Sequence, residues 1–170
     1  DNLEQAEKFG ETADFIHHKI GATALPVKES QHETSDLAEQ AVLKLLDQSS
    51  LALADVDALV VVTQNPDGTG LPHTAAVLQQ KLGMHSRVAC FDVSLGCSGY
   101  VYGLSILRGL MEQAGLQNGL LVTADPYSKV INRQDRITSL LFGDAATATW
   151  LAEDPEWTFG RPLLETDGSG

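Results

Sequence analysis

The chain has 170 residues, of which 43% are hydrophobic and 20% charged, the balance of a globular protein able to bury one substantial core. Its net charge of −12 argues against a nucleic-acid partner, because gripping phosphates takes an excess of Lys and Arg, and the acidity reads as a solvated surface. No apolar run approaches the roughly 18 residues of a membrane span, and the opening DNLEQAEKFGETADF is acidic and polar, unlike a secretory signal. A cytoplasmic protein without a membrane partner is expected.

The elements alternate. TSDLAEQAVLKLLDQS (34 to 49) offers Thr34, Ser35 and Asp36 as helix N-caps and sets Leu37, Ala41 and Leu45 on one helical face. DALVVVTQ (57 to 64) is too apolar for strand alternation, which predicts a strand covered on both faces. GLPHTAAVLQQKLG (70 to 83) predicts a helix with Pro72 at its start and Gly83 at its end. RVACFDV (87 to 93) reads as a strand, and a helix follows from about Cys97 to Gln113 with Val101, Leu104, Leu107 and Met111 at helical spacing. Strands at GLLVTAD (119 to 125) and AATATWLAE (145 to 153) complete a layered α/β domain with a largely buried sheet. No internal repeat or low-complexity tract interrupts it.

Two cysteines, Cys90 and Cys97, lie seven positions apart, which supports neither a disulfide framework nor a zinc site. Cys90, inside the strand, reads as core. Cys97 stands between glycines where strand changes to helix, and unpaired N–H groups at a helix N-terminus favour a thiolate. The small neighbours Gly96, Ser98 and Gly99 leave room for a substrate. A lone cysteine in a globular chain is also a common packing residue, and spacing by itself leaves both roles open. His17, His18, His32, His73 and His85 stand in no fixed relation to Cys97 and read as surface residues rather than as a base.

The motifs FDVSLGCSGYVYGL, LVTADPYS, QDRITSLLFGDAATATWL and TDGSG follow one another, with VDALVVVTQNPDGTGLPHTAAVLQQKLG upstream. In this order they resemble the N-terminal half of a β-ketoacyl-acyl-carrier-protein synthase III of the thiolase superfamily, from about Phe15 to Gly170. The resemblance implies a thiolase-like half-domain over residues 1–170, with a mixed sheet flanked by helices as one half of an αβαβα sandwich. The C-terminal half, with the His and Asn that promote decarboxylation, is absent from the sequence.

It further implies that Cys97 takes an acyl group from acyl-CoA and passes it to the carbanion left when malonyl-acyl carrier protein loses carbon dioxide. The N–H of Cys97 would serve as one oxyanion donor. Asn65, Tyr127 and Phe142 match pocket-lining positions, and Leu71 matches an apolar residue that closes the partner's acyl pocket in a homodimer. Arg136 matches an arginine near the CoA nucleotide. Phe15 stands where the family has a tryptophan that stacks on adenine, and Lys19 and Ile20 replace Arg-Thr; lysine keeps the charge but not the planar fork. The LGCSGY turn replaces an AACAGF-type cradle. No metal or resident cofactor is implied, CoA entering only as a substrate carrier. Alternatives are a secondary-metabolic relative that transfers the acyl group to another nucleophile, and a non-catalytic subunit of a thiolase-like heterodimer. Retention of Cys97 speaks against the latter.

Overall fold

The computed structural model describes residues 1–154 and 156–169, so Gly170, the last residue of the TDGSG motif, lies outside the described residues. In chain order the elements are α1 (Asn2–Lys8), α2 (Ala13–Phe15) running into a π-helical turn (Ile16–Ile20), α3 (Thr34–Asp47), β1 (Ala58–Val62), α4 (Thr74–Lys81) and β2 (Ala89–Val93). There follow α5 (Gly99–Ala114), β3 (Asn118–Pro126), α6 (Arg136–Leu141) and β4 (Asp144–Ala152).

Five consecutive apolar residues make β1 suited only to the middle of a sheet, and all five are buried. It pairs in parallel with β2 on one side and β3 on the other, while β4 runs antiparallel to β3, giving a mixed sheet of order β2-β1-β3-β4. Side chains alternate between the faces of a strand. Leu59 and Val61 therefore meet Ala38, Val42, Ala75 and Leu78 of α3 and α4, while Val60 and Val62 meet Leu107 and Met111 of α5. Helices cover both faces, as the apolar run predicts.

The helical faces differ in detail from the expected ones. On α3 the core stripe is Ala38 and Val42 rather than Leu37 and Ala41, although Leu45 does pack against it. Its N-cap is Glu33, and Asp36 caps from the third position by accepting the Glu33 N–H at 2.7 Å. Helix α4 starts at Thr74, after Pro72, because Asp92 on β2 accepts the Thr74 and Ala75 N–H groups at 2.7 Å each. On α5 the buried face is Gly99, Gly103, Leu107 and Met111, and Val101 points outward. Three short helices escaped the sequence reading. α1, the π-helical turn and α6 are too short for a periodic signal, and they share a satellite core of Ala6, Ile16 and Leu140.

Glycines set how closely α5 lies on the sheet. A Cβ on Gly99 would stand 2.4 Å from Val62 Cγ1, and one on Gly103 would stand 2.6 Å from Leu121 Cδ1. Across the same interface a Cβ on Gly119 of β3 would meet Leu107 Cδ1 at 2.8 Å. The helix bearing Cys97 just before its first turn is thus seated closely on the sheet because its positions 99 and 103 carry no side chain. Gly99→Ala is expected to destabilise the fold by ~1–3 kcal/mol through overpacking. Gly109→Ala, on the open face of α5 with nothing within 4 Å of its would-be Cβ, is expected to raise stability by ~0.5–1 kcal/mol. Urea denaturation of the two variants reads both signs, and a Gly99→Ala protein as stable as the parent would contradict the close seating.

Candidate active site

Parallel strands end on the same edge of a sheet, and the loops leaving that edge are where α/β proteins assemble sites. Here the ends of β1, β2 and β3 bring Gln64 and Asn65, Gly96 and Cys97, and Asp125 and Tyr127 to one edge. Because β4 is antiparallel, it begins there, with Asp144 opposite Pro126 and Phe142 just ahead of it. Four widely separated stretches of sequence converge by topology alone.

Cys97 is exposed, in the turn between β2 and α5. The turn closes with the Gly99 N–H donating to the Gly96 carbonyl at 2.8 Å, and the helix begins at Gly99 with Ser98 as N-cap, two residues later than expected. No backbone acceptor takes the Cys97 N–H among the described residues. The thiol and a free N–H therefore stand together at the positive end of a 16-residue helix, where negative charge is favoured. Cys90 is the opposite case. It packs against the main core from β2, and burial pushes its thiol up to about 11.

Asp125 organises the edge. Its Oδ1 accepts the Gln64 N–H at 2.8 Å, the Asn65 N–H at 3.2 Å, Asn65 Nδ2 at 3.0 Å and the Thr63 hydroxyl at 3.2 Å. Asn65 is buried, and its carbonyl accepts from the Thr34 hydroxyl. Its amide is thus tied to Asp125 beneath the edge. Tyr127 stacks on Phe142 with ring centroids 4.7 Å apart, and its hydroxyl donates to Gln64 Oε1 at 3.3 Å. Burial raises the Tyr127 hydroxyl, and the charges of Asp125 and of a Cys97 thiolate push it the same way. A strut locks the neighbouring loop: Lys129 Nζ donates to the Pro66 carbonyl at 2.8 Å and to Glu33 at 2.6 Å, and that bond holds the Glu33 carboxyl below its ordinary value.

The residues expected around a nucleotide form a second group. The Arg136 guanidinium lies 6.0 Å from the centre of the Phe15 ring and pairs with Glu11. Lys19 is exposed on the π-helical turn. Leu71 is 87% exposed in the loop between β1 and α4, uncovered among the described residues. His73 is half-buried rather than on the surface, its ring bonded to the Cys90 carbonyl at 3.2 Å. No cluster of three metal-binding side chains occurs among the described residues. A cavity of about 650 Å³ lies between α5, β4 and residues 157–159, and none of the site residues named above lines it. No cysteine is among its lining residues.

Sequence reading missed Gln64 and Asp125. Asp125 did leave a signal, a carboxylate closing the otherwise uncharged strand GLLVTAD. The contrast between the thiols sets a labelling experiment. A thiol titrating near 11 is only about one part in a thousand thiolate at roughly pH 8. Iodoacetamide at that pH is expected to modify Cys97 and spare Cys90, and Cys97→Ala should abolish the label. As pH rises toward the Cys90 value, label at Cys90 should grow. Equal labelling of both thiols at pH 8 in the folded protein would contradict the burial argument.

Residues 91–168 match the model of the 3-oxoacyl-[acyl-carrier-protein] synthase III family. A β-ketoacyl-[acyl-carrier-protein] synthase III from Caldanaerobacter subterraneus subsp. tengcongensis is 38% identical over 96% of this chain and 50% of its own length. A crystal structure of a 3-oxoacyl-(acyl-carrier-protein) synthase III superposes with a TM-score of 0.85 at 37% identity, over 92% of this chain and 47% of that one. The 3-oxoacyl-(acyl-carrier protein) synthase of Burkholderia xenovorans LB400 gives 0.82 at 36% identity, over 91% and 44%. The chain spans about half the length of the curated relatives it matches. In sequence and in fold, the chain is a relative of 3-oxoacyl-[acyl-carrier-protein] synthase III that corresponds to about half of such a protein.

Proposed function

We propose that this chain is the cysteine-bearing N-terminal half of a β-ketoacyl-acyl-carrier-protein synthase III, an acyltransferase of cytoplasmic fatty acid synthesis. The observation that carries the reading is the placement of Cys97, exposed at the N-terminal turn of α5 and inside the segment that matches the family model. The Cys97 thiolate attacks the carbonyl carbon of an acyl-CoA, and the carbonyl oxygen becomes an oxyanion facing the Cys97 N–H. Collapse breaks the C–S bond to CoA, which leaves as its thiolate and takes up a proton, and the acyl group stays on Cys97. Malonyl-acyl carrier protein then loses carbon dioxide, and its carbanion attacks the S-acyl carbon. A carbon–carbon bond forms and the Cys97 thiolate is released. The groups that promote decarboxylation belong to the absent half, so this chain alone performs only the first transfer.

Phe15 offers an aromatic face and Arg136 and Lys19 offer cations to the CoA nucleotide, while Tyr127 and Phe142 wall the acyl group and Asn65 fixes the floor beneath it. No resident cofactor is needed, CoA being the carrier of the substrate. A homodimer is supported by two features. β2 lies at the edge of the sheet with no further strand beside it among the described residues, although its Cys90 carbonyl is bonded by His73, and Leu71 projects exposed from the loop before α4.

Intact-mass measurement after incubation with a panel of acyl-CoA thioesters is expected to show one acyl group per chain, lost in Cys97→Ala and kept in Cys90→Ala. No release of carbon dioxide from malonyl-acyl carrier protein is expected from this chain alone. Absence of an adduct with every donor would remove the acyltransferase reading. Sedimentation should show a dimer that Leu71→Asp weakens, and a monomer at all concentrations would count against the subunit contact.

A further inference from the structure

Gln64 is exposed, yet its side chain is held. Asp125 fixes its backbone N–H, the Tyr127 hydroxyl donates to its Oε1, and the Phe142 ring stacked on Tyr127 fixes that donor in turn. The carboxamide lies against Gly96, the residue before Cys97, with its oxygen nearest. A Cβ at Gly96 would meet Gln64 Oε1 at 2.9 Å, Cδ at 3.4 Å and Nε2 at 3.7 Å, so a side chain at position 96 would displace it. Ordering a glutamine side chain costs up to about 2 kcal/mol of rotamer freedom. Among the described residues Oε1 has its partner in Tyr127, whereas neither N–H of Nε2 is bonded to the protein. Two oriented donors thus stand within one residue of Cys97.

We propose that Gln64 is a specificity-determining residue that selects acyl groups carrying an oxygen close to the thioester, on the α- or β-carbon, over plain hydrocarbon acyl groups. The proposal rests on the reading of Cys97 as the acyl-accepting thiol. A hydrocarbon chain laid over Nε2 strips water from both donors and returns nothing, which is the costly arrangement for a polar group. A hydroxyl or carbonyl oxygen near the thioester accepts one of those hydrogens. Sites built to bond a substrate oxygen reject the analogue that lacks it.

The test compares butyryl-CoA, 2-hydroxybutyryl-CoA and 3-hydroxybutyryl-CoA, three donors of equal chain length, by the rate at which each acylates Cys97 in intact-mass time courses. The readout is the ratio of each hydroxyacyl rate to the butyryl rate. All three acylate the same thiol, so changes in its reactivity or in global stability cancel. One net hydrogen bond of about 0.5–1.5 kcal/mol predicts that the better hydroxyacyl ratio falls about two- to tenfold in Gln64→Leu. Tyr127→Phe, which releases the carboxamide without removing it, should lower the ratio by less. Gln64→Met supplies the same comparison should the leucine variant fold poorly. A ratio unchanged in the Gln64 variants overturns the proposal while leaving the acyl-accepting role of Cys97 standing. Absence of any adduct at Cys97 overturns that role and this proposal together.

Discussion

The carboxylate of Asp125 is the interaction on which the reactive edge depends. Within the sheet each backbone N–H of β1 has a ladder partner, and Thr63 just beyond still donates to the Val93 carbonyl at 3.1 Å. The next two N–H groups, of Gln64 and Asn65, leave the ladder while Asn65 is still buried, and unpaired backbone donors in that setting are costly. One oxygen of Asp125, at the end of the neighbouring parallel strand, accepts both. Charge-assisted bonds of this kind are about twice as strong as neutral ones. The chain can therefore turn sharply after β1, and that turn puts Gln64 across from Gly96.

The same device recurs around the molecule and changes the meaning of its acidity. Asp92 accepts the first N–H groups of α4, Asp57 accepts those of Gln117 and Asn118 at the entry to β3, and Asp144 accepts those of Lys28 and Ser128. Asp144 is itself buried, at 4% exposure. Read as a solvated surface, the net charge of −12 misses these residues, which terminate strands and start helices from inside the fold. Composition counts carboxylates without saying which are spent on backbone donors.

Much of the architecture was legible in sequence because β1 and α5 announce themselves strongly. A five-residue apolar run has no solution but a covered strand, and glycine on either side of Cys97 marks the strand-to-helix change. Less legible was anything set by contact between distant segments. The stripe on α3 is displaced by one residue because small Ala38, rather than Leu37, fits against the sheet. The partner of Phe15 is Arg136, more than a hundred positions away, and the bond that aims Gln64 comes from Tyr127 at the end of the neighbouring strand. Short helices such as α1 and α6 draw their stability from a shared cluster, so their own residues carry little periodicity.

The two cysteines show how far local sequence decides the setting of a thiol. They are seven residues apart, joined by a single strand end and turn, and differ in what the fold does with each. Cys90 pairs with Leu59 in the β-ladder register and packs against the core, where burial opposes ionisation. Cys97 stands two residues before α5, and α5 is held there by glycines that let it touch Val62 and Leu121. Were α5 to sit farther from the sheet, its first N–H groups would move away from the strand ends that carry Gln64 and Tyr127. The setting of Cys97 therefore depends on the absence of side chains at positions 99 and 103 as much as on its own turn.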